Sequence, residues 1–282
     1  MKNMPQNPIM QDLREWFDTY THQFDSSDPV ICRAMDLKRE HTMRVCDIIV
    51  DIGKSLGLCP GDLHTAETAA LLHDIGRFRQ YYNYGTFSDS KSQNHADLGT
   101  AAIKKNNLLA AFDPEEAEII IFAVKHHNRA SLPGAGKPRH LFFLKMLRDA
   151  DKLDIWRVVT DYYKATSGNR NPAIELELAD LPRISDNICN SLLQRKPADM
   201  EDVKTLNDLK LLQMGWVYDL NFPRSFSLLS ERGYLEMIRD AIYGESPRVE
   251  KIWTEIEKHL LQQKGFYESN HAPGHRPLNL EP

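Results

Sequence analysis

An all-α fold is predicted on three observations. Apolar residues recur at helical spacing through most of the 282-residue chain, and no apolar–polar alternation lasts long enough to build a sheet. The breaks between periodic stretches have turn-forming composition. The first clear helix covers residues 38 to 57, where Val45, Ile48, Ile49, Ile52 and Leu56 fall on one face. A second is predicted over 61 to 76, with Leu63, Ala66, Ala69, Ala70 and His73 in one stripe. A third starts near His95, with Asn94 as its N-cap and Asp97 at the capping-box position. The fourth, "DPEEAEIIIFAVKHH", opens with a capping Asp113, Pro114 at the first position and acids in the first turn. The fifth, "RHLFFLKMLRDADKLDIWRVVTDYY", is apolar on more than one side, which predicts a central helix.

Turn-rich segments at 84 to 93, 131 to 138 and 167 to 172 separate these elements or follow the last of them. Beyond, "MEDVKTLNDLKLLQMGWVYDL" and "SPRVEKIWTEIEKHLLQQ" read as further helices, and the polar end "ESNHAPGHRPLNLEP" as a loose tail. The expected organisation has four parts. Residues 1–36 form an N-terminal helical extension and 37–165 a helical core; 166–264 form C-terminal helices packing on the core, and 265–282 a flexible tail.

Composition narrows the function. The net charge is −5, with 35 basic and 40 acidic residues, which disfavours duplex nucleic acid as a partner. Cys32, Cys46, Cys59 and Cys189 show no close pairing, so they read as reduced thiols rather than a disulfide framework or zinc knuckle. No segment approaches the ~18 consecutive apolar residues of a membrane span, and the N-terminus lacks the apolar stretch of a signal peptide. A cytoplasmic protein without a membrane partner is expected.

The chemistry concentrates in a few side chains. His73 and Asp74 end the run "TAALLHDIGR"; chance alone gives about one His-Asp pair in such a chain, so the context has to carry the weight. His41 heads the Val45/Ile48/Ile52 stripe, and His73 lies on the inward side of its helix. His126 falls on the Phe122/Ala123 side of its helix and His127 on the Ile120/Val124 side. In "DADKLD", Asp149, Asp151 and Asp154 all have apolar neighbours at helical spacing, and periodicity does not choose among them. Burying one such group without a partner is costly. Several on separate helices are better explained by convergence on one site, and imidazole with carboxylate but no thiolate suits Fe, Mn, Ni, Co or Zn rather than calcium.

The ordered set His41, His73-Asp74, His95, His126-His127 and "DADKLD" resembles the HD-domain superfamily of metal-dependent phosphohydrolases, over roughly residues 37 to 160. The resemblance implies an HD-domain helical bundle, here with additional N- and C-terminal helices. By resemblance, His41, His73, Asp74 and Asp151 match a first metal site. Members with further histidines, like His95 and His126, commonly hold two divalent ions bridged by the Asp of the pair. The implied activity is hydrolysis of a phosphate ester of a nucleotide or small phosphorylated metabolite by a metal-activated hydroxide, with Asp74, Arg77 and His127 as catalytic candidates. Two features depart from relatives that cleave cyclic dinucleotides: Arg77 stands at their lysine position, and "HHNRASLPGAGKP" replaces their GYP motif. Leu37 stands where members with three metals carry Glu.

Arg77, one turn beyond His73, can offer a bidentate fork to phosphate, though a salt-bridging arginine explains it as well. Lys125, Arg129 and Lys152 are further phosphate candidates. Adjacent helical side chains diverge by about 100°, which favours a supporting or proton-transfer role for His127 if His126 is the ligand. The loop at 80 to 94 joins two ligand-bearing helices and reads equally as a substrate lid or as a merely packed loop bordering the site. The alternatives are a diiron oxygenase resembling the myo-inositol oxygenase-like proteins, which share the ligand order, and a non-catalytic nucleotide sensor. The C-terminal helices are candidates for covering the site or for a homodimer interface.

Overall fold

The computed structural model describes residues 8–165, 171–244 and 246–270. Within them the chain is all-α, with no strand and one isolated bridge between Ala179 and Thr205. None of the described helices is long and apolar enough to cross a membrane. The described residues divide into two compact units, one up to Asp151 and one from Lys152 on. The division falls inside one long helix, Pro138–Lys164, rather than at the expected 165/166 boundary.

The first unit contains α1 (Pro8–His22), α2 (Pro29–Ser55), α3 (Pro60–Leu72), α4 (Ile75–Tyr84), α5 (His95–Lys105), α6 (Pro114–His126) and the start of α7 (Pro138–Lys164). Asp28 caps α2 by accepting from the Val30 N–H at 2.7 Å, and Pro29 occupies the first turn, so the helix starts well before its predicted position. Its stripe of Val45, Ile49 and Ile52 is fully buried against α3. α1, in the N-terminal extension, packs on α3 and α4 and buries Met10, Leu13 and Phe17. Asn94 caps α5, accepting from the N–H groups of Ala96 and Asp97. Asp113 precedes α6 as expected but makes no side-chain cap hydrogen bond. Phe143, Leu144, Met146, Leu147 and Ala150 of α7 are all buried, as its multi-sided apolar pattern requires.

The predicted helix over 61 to 76 is two helices. α3 ends at Leu72 and α4 begins at Ile75, leaving His73 and Asp74 in the joint. The joint lets α4 turn onto α5, with Gly76 at the crossing. A Cβ on Gly76 would stand 2.0 Å from the His95 carbonyl oxygen, so only glycine permits this approach.

The second unit contains the rest of α7, α8 (Pro172–Glu175), α9 (Asp186–Leu193), α10 (Leu206–Gly215), α11 (Pro223–Arg232), α12 (Tyr234–Asp240) and α13 (Pro247–Asn270). α10 is buried along its whole length and begins with a reciprocal capping box between Thr205 and Asp208. The Trp156 indole donates to the Gln213 carbonyl at 2.9 Å. The last helix continues through residues 265–270, which were expected to open the tail. The remainder of that tail, and residues 167–170 of the predicted break, lie outside the described residues.

Candidate metal centre

Five helices of the first unit bring six side chains to one point. His41 comes from the body of α2, and His73 with Asp74 from the α3–α4 joint. His95 is the first residue of α5, His127 follows α6, and Asp151 projects from α7. His41, His73, Asp74, His95 and His127 are buried, and the Asp151 side chain keeps 17% of its exposure.

Two of the imidazoles are fixed by the same local device. His73 and His127 are each the C-cap of a helix, where the last carbonyls have no partner in the helix itself. The His73 Nδ1 lies 2.7 Å from the Ala70 carbonyl oxygen and the His127 Nδ1 lies 2.7 Å from that of Val124. A carbonyl only accepts, so each Nδ1 carries the proton and each Nε2 presents a lone pair to the cluster. His95 reaches the same state by another route. Its Nδ1 donates to the Asp89 carboxylate, 2.8 Å from Oδ2, and its Nε2 faces inward.

Asp74 stands in the middle with its two oxygens turned to different imidazole pairs. Oδ2 lies 3.7 Å from Nε2 of both His41 and His73. Oδ1 lies 3.3 Å from the Nε2 of His95 and 3.8 Å from that of His127. Asp151 joins the first pair, its Oδ1 3.1 Å from His41 Nε2 and 3.7 Å from His73 Nε2. Within each pair the nitrogens nearly touch: His41 to His73 at 3.3 Å and His95 to His127 at 3.0 Å.

These contacts fit a metal ion. The His95 and His127 lone pairs point at one another, an arrangement that a shared cation relieves. Two nitrogens about 2.1 Å from one ion at adjacent corners would themselves lie ~3 Å apart. The donors group as His41/His73/Asp74, His73/His127/Asp151 and Asp74/His95/His127, each within the span of a single ion. Electrostatics keep the donors in ligating form. Burial pushes His73 down to about 4 and His95 to about 3, with the Arg77 guanidinium adding to the latter, so both imidazoles are neutral. Burial alone would raise Asp74, but the Lys38 ammonium and, behind it, the Arg77 guanidinium help to hold the carboxyl well below its usual range. Asp151 is lowered likewise, its burial outweighed by the hydrogen bond with His41.

The paired histidines reverse their expected roles. His126 stacks on Phe122, ring centroids 4.6 Å apart, and is half-buried away from the cluster; His127 takes its place among the donors. The reason is the helix end, because only the C-cap residue folds its ring back onto a free carbonyl of the last turn. Of the three acids in "DADKLD", Asp151 is the one at the cluster.

The phosphate candidates separate as well. Nη1 of Arg77 is spent on the loop, donating to the Phe87 carbonyl and to Gln80 Oε1 at 3.0 Å, with Asp89 at 3.3 Å. Lys152 ion-pairs with Asp219 at 2.7 Å within the second unit. Lys125 and Arg129 are exposed.

Sequence reasoning missed two residues here, Lys38 and Asp89. Asp89 is held by the Gln80 amide at 2.8 Å and the Asn128 amide at 3.1 Å, so the loop at 85 to 94 is the rear support of His95 rather than a simple lid. Its one sequence signal is an acid six residues before a ligand, in a loop joining two ligand helices. Lys38 places Nζ 2.8 Å from Asp74 Oδ2.

A family model described as HD domain matches residues 39–156. No curated protein and no solved structure matches the chain.

Proposed function

Because the chain belongs to the HD-domain superfamily through residues 39–156, we propose that it is a metal-dependent phosphohydrolase acting on a phosphate ester of a nucleotide or small phosphorylated metabolite. The observation that carries this reading is Asp74, whose two oxygens face separate imidazole pairs as a carboxylate shared between two ions would. His41, His73, Asp74 and Asp151 would hold one ion, and Asp74, His95 and His127 the other. Divalent ions bound there would supply water acidification and polarisation of a phosphoryl oxygen at neutral pH.

The chain's own residues supply the rest. Proton positions at Nδ1 of His73 and His127 are locked by backbone carbonyls, so neither ring has to rotate or lose a proton before ligating. Asp89 does the same for His95 and carries its own negative charge behind the ring, making Nε2 a stronger donor. Leu72, Ile75 and Phe78, close to the joint in sequence, are fully buried.

The test is a panel of phosphate monoesters and diesters offered to protein loaded with manganese, iron, nickel, cobalt or zinc, in air and without oxygen. Oxygen-independent phosphate release from at least one ester is expected. A fully loaded protein inert to the whole panel, or one that consumes oxygen with its substrate, would overturn the reading.

A further inference from the structure

Lys38 has no role in the ligand set, yet it touches its central member. It lies on α2 three residues before His41, with Nζ 2.8 Å from Asp74 Oδ2, the oxygen that faces His41 and His73. The ammonium also sits 5.4 Å above the Phe87 ring. Of the residues contacting Asp74, the imidazoles are at most 4% exposed, while Lys38 and Arg77 keep 16% and 17%. Arg77 is tied to the Phe87 carbonyl and Gln80. Lys38 is a point charge on a flexible four-carbon stem, able to swing without breaking the loop.

Charge decides where it would swing. Imidazoles aside, the charged groups at the cluster are three carboxylates (Asp74, Asp89 and Asp151) against Lys38 and Arg77, one net negative charge. One divalent ion turns that into one net positive charge, and a second adds two more. If Asp74 Oδ2 were taken up in holding a cation, the part-exposed Lys38 ammonium would lose its carboxylate partner beside a cationic site. The group that satisfies it there is an anion, and a terminal phosphate, as a dianion, offsets more of the excess than a diester does.

We propose that Lys38 is the phosphate-binding cation of this site: it holds Asp74 when no ion is bound and transfers to the terminal phosphate of a monoester once ions take that oxygen. The inference rests on the metal-site reading above and assigns its substrate class.

The experiment compares the parent protein with Lys38→Met and Lys38→Arg. Manganese affinity is measured by calorimetry without substrate, and inorganic phosphate is then titrated into the manganese-loaded proteins. Lys38→Met should bind manganese at least as tightly as the parent, since a competitor for Asp74 is gone. Its phosphate affinity should fall about tenfold, the scale of one charge-assisted hydrogen bond, and Lys38→Arg should recover most of it. Methyl phosphate should follow inorganic phosphate, and dimethyl phosphate should bind weakly to all three proteins. Equal phosphate affinity in parent and Lys38→Met, or a Lys38→Met protein that loses manganese instead, would overturn the proposal and make Lys38 a prop for Asp74. A parent protein that binds no manganese would overturn the metal reading itself. Should Lys38→Met not fold, Lys38→Gln carries the same comparison, because phosphate affinity must follow charge.

Discussion

The two halves of the metal centre are built differently. His41, His73 and Asp151 come from helix bodies and a helix end, and the acid that steadies His41 is itself a candidate ligand. His95 and His127 have no such ligand acid of their own. Their half relies on a carboxylate behind the ring, Asp89, which is held in turn by Gln80, Arg77 and Asn128. One half therefore rests on helix packing alone, while the other pairs a helix-end histidine, His127, with one, His95, braced by a polar loop. The lesson is that a second ion, if bound there, would depend on residues that never touch it.

Substitutions can break this comparison, and Asp74 has the largest expected effect. Asp74→Ala removes the one carboxylate common to both halves, so elemental analysis should find both ions lost and turnover should drop to background. Next come Asp89→Asn and Asp151→Asn, which should separate the halves. Loss of a supporting group of this kind typically costs about 10–100-fold in metal affinity. Asp89→Asn should thus release one ion while leaving the other, and Asp151→Asn should weaken the opposite one. Equal losses of both ions in both variants, read by competitive chelation, would erase the distinction between halves.

Acid sharpens the comparison in the metal-free protein. His73 and His95 have folded values of about 4 and 3, below the 6.5 of an exposed imidazole. The unfolded chain therefore takes up more protons as pH falls below 6.5. Stability from these groups is complete above that pH and declines toward pH 3, and the lowered Asp74 and Asp151 add losses of the same sign below 3.8. The melting temperature should be flat above pH 7 and drop by on the order of 10 °C by pH 4.5. A flat profile would show that the imidazoles are not buried in neutral form.

The smallest effects separate the neighbouring histidines. His126→Ala should leave metal content unchanged and activity within about twofold, since its ring only stacks on Phe122. His127→Ala should release the ion on the loop-supported side.

Much of this was legible in the sequence. His41 and His73 were readable because an apolar stripe fixes which way a helical side chain points. Asp151 could be selected only through the resemblance, because its two acidic neighbours have similar flanks. His126 and His127 could not be ordered from periodicity: both faces of α6 are apolar, and the choice was made by where the helix stops. The break at Asp74 was hidden because nothing in "LLHDIGRF" disrupts helical spacing; Gly76 was its one mark, and its meaning depends on α5 crossing there. Asp89 and Lys38 lay beyond reach, one in a loop without periodicity and the other because its ammonium meets a carboxylate 36 residues away.

A single carboxylate facing two ways would also tie together the occupancies of two ions bound on its two sides. Whatever factor the first ion imposes on the affinity for the second, the second must impose on the first. Titration with a divalent ion should then yield a curve that two independent sites cannot reproduce, and its departure from independence measures how much of the pair's free energy passes through Asp74.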